Sequence, residues 1–424
     1  MDLKHATPEE LAGTLEHAET AYTGLRGRNL ALDMTRGKPA PEQLDLADDM
    51  LTIVGHGDTD GDDGTDYRNY GILAGIPEAR AFFAEYMDVD KSEIVVGGNS
   101  SLTMMYDTMM GGMYYGMPGG EAPWKDQGAV KFICPVPGYD RHFAICERLG
   151  IEMLTVAMTP EGPDLDAVED LAKDPAVKGI WCVPKYSNPS GETYSDATVK
   201  RLAEMPVAAP DFRVFWDNAY NVHHLGDGPA PLANMLDACK QAGNPDRVLM
   251  FGSTSKITHA GAGVAVMAAS EANVADALKK MFYSSIGPDK INQLRHVRFF
   301  GDMAGLLTHM EKQAEIVAPK FQAVERALEK NLAGKGIATW TAPKGGYFVS
   351  VEVLEGCATE IIELADAAGV KLTPAGATHP YGKDPADSFI RLAPTMPSVE
   401  EIETAMEVFC ACVELVCARK LAAG

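Results

Sequence analysis

Between residues 93 and 270 the chain alternates short apolar runs with longer amphipathic stretches. The runs are EIVVGG (93–98), AVKFICP (129–135), IEMLTVAM (151–158), VKGIWCVP (177–184), FRVFWD (212–217), RVLMFGS (247–253) and AGVAVMAAS (262–270). Most are apolar throughout rather than at every second position, as strands covered on both faces must be. Helix-like stretches lie between most of them, at 99–112, 140–149, 164–173 and 195–204. This alternation predicts an α/β fold with a mostly parallel sheet.

The flanks read differently. Residues 8–30 predict a helix, with Thr7 as N-cap and Pro8 in the first turn. A loop rich in Pro, Asp and Gly follows through 35–66. Residues 289–332 predict one long helical stretch, ended by Gly334-Lys335-Gly336. Strand-like ATWTAP and GGYFVSVEV, a helix at 358–368, a strand at 387–394 and a helix at 398–421 complete the chain. Strands and helices without regular alternation predict a smaller α+β domain. The expected organisation is an N-terminal segment (1–45) packed on the small domain, a large α/β domain (46–290), and an interdomain helix with the small domain (291–424).

Composition narrows the function. The 424 residues suffice for two or three domains and a large core. A net charge of −23 repels nucleic acid and anionic membranes, so neither is an expected partner. No apolar run approaches the roughly 18 residues of a membrane span. The start MDLKHATPEE has no apolar signal core, so a cytoplasmic location is expected. The cysteines (134, 146, 182, 239, 357, 410, 412 and 417) form no CxxC pair and read as reduced and mostly buried. His223-His224 lacks companion metal-ligand spacing, and Cys410, Cys412 and Cys417 have no histidine nearby, so no metal is expected. Gly261-Ala262-Gly263 lacks the third glycine of a dinucleotide fingerprint, and neither GxxxxGK[ST] nor GxSxG occurs.

Six segments carry candidate chemistry, most of them just after a predicted strand, where open α/β sheets place ligands. Ser253-Thr254-Ser255-Lys256 ends one strand: a desolvated lysine can form a Schiff base and its neighbours can bind phosphate, or it is a surface lysine in a polar turn. Asp217, in WDNAY, can pair with a cationic ring nitrogen or cap a helix. Asn188, in SNPSG, can donate to a phenolate, though Asn-Pro-Ser-Gly is also a turn. Gly97-Gly98-Asn99-Ser100-Ser101 opens a helix and can bind an anion. Tyr139, in PGYDRH, can stack on a flat ring or fill the core. Arg391, in SFIRL, needs an anion, either a substrate carboxylate or an internal partner.

Together and in this order, the segments resemble those of fold-type I pyridoxal-phosphate enzymes, specifically class I aminotransferases. Thr35-Arg36-Gly37-Lys38-Pro39, Ser255-Lys256-Ile257-Thr258 and Gly287-Pro288-Asp289-Lys290-Ile291-Asn292 resemble a divergent bacterial subgroup of aspartate aminotransferases, often labelled MocR-related. The resemblance implies a mostly parallel seven-stranded sheet plus a smaller α+β domain, and pyridoxal 5′-phosphate as cofactor. It implies Lys256 as the Schiff-base lysine, Asp217 as partner of the pyridine nitrogen with His142 behind it, and Asn188 and Tyr220 on the phenolate oxygen. Tyr139 would stack on the ring; Ser100, Ser101, Ser253 and Ser255 would take the phosphate. Tyr70, in YGILAGIPEAR, would cross to the phosphate of the neighbouring subunit, which implies a homodimer. Arg391 and Gly37 would bind the α-carboxylate, and Arg36, Lys38 or Lys290, the last from a partner subunit, the distal carboxylate of an acidic substrate. One departure stands out: these enzymes usually place an arginine on the phosphate about eight residues after the lysine, and here that residue is Val264.

The implied activity is ping-pong transfer of an amino group between an amino acid, with aspartate or glutamate the best fit, and a 2-oxo acid. The same lysine also serves β-decarboxylases, carbon–sulfur lyases and racemases. A regulator built on this fold would need a basic DNA-binding domain, and only the residues before Thr35 are available for one in this acidic chain.

Overall fold

The computed structural model describes residues 1–226 and 228–423. Thirteen strands occur among them: β1 (Leu32–Asp33), β2 (Ile94–Val96), β3 (Lys131–Val136), β4 (Glu152–Thr159), β5 (Gly162–Pro163), β6 (Val177–Cys182), β7 (Arg213–Asp217), β8 (Val248–Ser253), β9 (Ala265–Ala269), β10 (Ala338–Trp340), β11 (Val349–Val353), β12 (Val370–Lys371) and β13 (Phe389–Leu392). Eight form one sheet in the order β2-β9-β8-β7-β6-β3-β4-β5. β4, β3, β6, β7 and β8 run parallel, and β9 is antiparallel to both its neighbours. Each of the seven apolar runs supplies one strand. The seven-stranded expectation needs one correction: β5 is an eighth, two-residue member returning along the end of β4. A pair of residues carries no periodicity for a sequence pattern to reveal.

Every residue of β6, β7, β8 and β9 is buried. Alternate side chains feed opposite faces. Ile133, Ile180, Val214, Trp216, Met250 and Val266 face a layer that includes the helix Pro77–Met87 and Leu294 and Phe300 of Lys290–Phe300. Phe132, Trp181, Phe215, Phe251 and Met267 face the layer of Ser101–Tyr115 and Asp140–Arg148. There Trp181 and Phe215 pack with ring centroids 4.8 Å apart. The parallel strands therefore end together, and Asp217 and Ser253 are the last residues of β7 and β8.

The second core packs the antiparallel β10-β11-β13 sheet under the helices Met303–Leu332 and Val399–Ala422. The N-terminal helix Pro8–Arg26 joins it through Leu11, Ala18 and Tyr22, and β1 pairs with β12 in parallel. Thr7 is the N-cap of that helix, as expected, and Glu10 completes a capping box with it. It stops four residues short of position 30, because Gly27 caps it and Asn29 turns left-handed at φ 52°. The predicted 289–332 stretch is two helices, Lys290–Phe300 and Met303–Leu332. Gly301, at φ 71°, breaks it, and the Asp302 side chain caps the second piece by accepting from Gly305 N. Leu306 and Met310 of the long helix belong to the large core, and Val317, Phe321, Val324 and Leu328 to the small one.

Candidate active site

Where the two cores meet, a cleft of about 260 Å³ opens at the C-terminal edge of the sheet. It is lined by Arg36, Gly37, Lys38, Ser101, Tyr139, Asn188, Asp217, Tyr220, Lys256 and Arg391, among others. Residues spread over most of the chain thus converge on one space.

Asp217 sits at its floor. Its Oδ2 lies 3.1 Å from His142 Nε2, and both side chains are almost wholly buried. The His142 ring lies flat on Trp181, centroids 4.2 Å apart and planes 8° from parallel. Asp217 Oδ1 is buried and finds no partner among the described residues. A buried carboxylate costs several kcal/mol unless its oxygens are satisfied. A cationic ring N–H is the donor this oxygen lacks, so the floor fits the pyridine nitrogen of pyridoxal phosphate.

Lys256 lies three residues beyond the end of β8, with Nζ 4.9 Å from the centre of the Tyr220 ring. Burial lowers its affinity for a proton, and the negative Asp217 partly opposes this. The lysine's own backbone is held: Tyr347 Oη donates to the Lys256 carbonyl at 3.3 Å, and His223 Nε2 donates to it at the same distance. Burial pushes His223 down to about 3, so it stays neutral. This contact is the structural role of a histidine that the sequence offered only as a weak metal candidate.

Arg391 comes from β13 of the small sheet. Its Nη1 donates to Asn188 Oδ1 at 3.2 Å, its Nε to Thr373 Oγ1 at 3.3 Å, and its guanidinium stacks 4.7 Å above the Phe348 ring. Asp140 is a distant counter-ion at 3.8 Å. The guanidinium is thus oriented and incompletely neutralised at the cleft, the condition for a carboxylate fork. Gly37 lets the 36–38 segment lie on Phe348: a Cβ there would sit 2.7 Å from the ring.

A hydroxyl cluster forms next to Lys256; of the four candidate serines only Ser101 lines the cleft itself. Ser253 Oγ donates to Ser255 Oγ at 3.1 Å, and Ser255 Oγ donates to the Asn99 carbonyl at 3.3 Å. Ser100 is the N-cap of Ser101–Tyr115 and makes no side-chain cap bond. Val264 is buried and carries no charge to this cluster, and its N–H donates to Thr254 Oγ1.

Two expected residues lie elsewhere. Tyr70 is 80% exposed and Lys290 is buried with Nζ donating to the Gly71 carbonyl at 3.2 Å; both line a separate surface cleft. Neither faces the Lys256 cleft of its own chain. Sequence reasoning missed Trp181, Tyr347, Phe348 and Thr373. Tyr347-Phe348 carried a signal, an aromatic pair directly after Gly345-Gly346, but nothing in the sequence links it to a lysine about ninety residues earlier. Thr373 carries none.

The fold is that of a fold-type I aminotransferase. The chain belongs to the aspartate aminotransferase family, whose model matches residues 6–424. It is 47% identical over 407 residues to the aspartate aminotransferase of Corynebacterium glutamicum, covering 96% of this chain and 94% of that one. The crystal structure of an aspartate transaminase from the same organism superposes with a TM-score of 0.98 at 45% identity, over 99% of both chains. The Thermus thermophilus α-aminoadipate aminotransferase LysN, solved with N-(5′-phosphopyridoxyl)-L-leucine, shares the fold at 22% identity, with a TM-score of 0.74 over 97% of both chains. The chain is an aminotransferase, and pyridoxal phosphate is the cofactor its family implies.

Proposed function

We propose that the protein holds pyridoxal 5′-phosphate on Lys256 and transfers the amino group of aspartate or glutamate to a 2-oxo acid such as 2-oxoglutarate. The observation that carries this reading is the buried Lys256 amine beside the half-satisfied Asp217 carboxylate in one cleft. The cofactor, when bound, supplies an electron sink for the pair left at the substrate Cα.

The chain's own residues do the rest. Asp217 holds the ring nitrogen in its cationic form, and the His142–Trp181 stack keeps the carboxylate in place. Asn188 and Tyr220 would hold the phenolate oxygen, and Tyr139 would stack on the ring. Ser100, Ser101, Ser253 and Ser255 would take the phosphate. Arg391 forks onto the α-carboxylate and fixes which substrate bond faces Lys256. Once freed by the incoming substrate amine, Lys256 Nζ, which burial keeps from holding a proton of its own, would take the Cα proton as general base and return it as general acid. Arg36 and Lys38 on the cleft rim, or Lys290 of a neighbouring subunit, meet the distal carboxylate of an acidic substrate. Tyr70 completes the phosphate site of the other subunit, so the working unit is a homodimer.

Mixing purified protein with aspartate and 2-oxoglutarate tests the reaction. Glutamate with oxaloacetate is the expected product pair, with parallel double-reciprocal lines for a ping-pong sequence. Alanine would mean β-decarboxylation instead, and no product would mean another substrate.

A further inference from the structure

We infer that the phosphate seat of this chain is built on backbone amides rather than on a guanidinium, and that Asn292 and His296 are the positioning residues that hold its 262–264 wall. The inference rests on the reading that Lys256 carries pyridoxal phosphate. No arginine occurs between Lys256 and Arg295, and His259, a cation only when protonated, already faces Asp48 at 3.2 Å.

In place of a charge there is a buried relay. The Val264 N–H donates to Thr254 Oγ1 at 2.8 Å, and Thr254 Oγ1 lies 3.0 Å from His296 Nε2. Thr258 Oγ1 lies 3.0 Å from the same nitrogen. His296 Nδ1 is 2.8 Å from the Asn292 carbonyl, which can only accept. The proton therefore sits on Nδ1, and Nε2 accepts from the threonine hydroxyls. Thr254, Thr258 and His296 are each at most 1% exposed.

The second tie is the Asn292 side chain. Its Nδ2 donates to the carbonyls of Ala262 and Gly263, at 2.9 and 3.0 Å. In a trans peptide the N–H points opposite to the preceding C=O. Fixing the Ala262 carbonyl on the helix thus turns the Gly263 N–H away from the helix. The segment it belongs to is pressed on the hydroxyl cluster: a Cβ at Gly263 would lie 3.2 Å from Ser255 N and 3.3 Å from the Asn99 carbonyl. Lys290–Phe300 therefore fixes the orientation of one amide beside Ser255 and Asn99, the Gly263 N–H, since among the described residues Ala262 N–H donates to the His259 carbonyl and Val264 N–H to Thr254 Oγ1. Oriented amides are an anion seat that needs no side-chain cation.

The test titrates the full-length protein, stripped of cofactor, with pyridoxal phosphate and with pyridoxal, which has the aldehyde but no phosphate. Wild type should bind the phosphorylated form far more tightly. Asn292→Ala should weaken pyridoxal phosphate roughly tenfold or more, the scale of one lost buried polar tie, and leave pyridoxal within about twofold. Gly263→Ala, which crowds the same wall without touching the helix, should do the same and serves if Asn292→Ala does not fold. His296→Phe should follow, with the thermal midpoint of each stripped variant recorded beside it. Equal weakening of both ligands, or no weakening, would overturn the proposal. A wild type that binds neither ligand would instead sink the cofactor reading beneath it.

Discussion

At the level of single residues, a few side chains with incomplete surroundings define the cleft. Lys256→Ala should fold, as judged by circular dichroism and thermal midpoint, and lose turnover by several orders of magnitude. Asp217→Asn keeps the shape but loses the charge proposed to hold a cationic ring nitrogen. Activity should fall at least a hundredfold, roughly the cost of one misplaced charge on a developing carbanion. Arg391→Lys replaces a planar fork by a point charge and should raise KM for the amino acid about tenfold or more, with a smaller change in kcat. These residues were legible in the sequence because each ends, closely follows or interrupts an apolar strand, where a polar group must have a reason. The supports behind them were not. Trp181 reads as one more apolar strand residue, and only the three-dimensional stack on His142 shows its use.

At the scale of elements, close packing of the strands sets what the sheet tolerates. Gly179 in β6 has no room for a side chain: a Cβ would lie 2.3 Å from the Arg213 carbonyl of β7 and 2.5 Å from the Phe132 ring. Gly179→Val should cost several kcal/mol, and the protein should be recovered largely insoluble. The strand runs were readable because strands buried on both faces are apolar at every position. Helix ends were less readable. The break at Gly301 lies in an otherwise helical pattern, where a lone glycine is common, and only its positive φ and the Asp302 cap make it a stop. Pairing of β1 with β12 joins segments more than three hundred residues apart, which no local pattern encodes.

At the scale of the whole molecule, two properties follow. Burial pushes His223 to about 3 and His296 to about 4, both below the ordinary histidine value. The unfolded chain then binds protons near pH 6.5 that the folded chain refuses. Their contribution to stability is full above that pH and is lost as pH falls toward 4. Urea unfolding at pH 7.5 and 5 should show a loss on the order of 1–2 kcal/mol per histidine, reduced in His296→Gln. If Tyr70 completes a neighbour's site, mixing inactive Lys256→Ala with a weakened Tyr70→Ala variant should recover activity, because a mixed dimer holds one intact site. No gain on mixing, after subunit exchange is verified by mass, would argue against shared sites. The central claim is the covalent role of Lys256, and borohydride reduction of the pyridoxal-phosphate-saturated protein followed by peptide mass mapping reads it directly. A phosphopyridoxyl group is expected on the peptide containing Lys256 and on no other. A label on another buried lysine such as Lys185, or none at all, would contradict it.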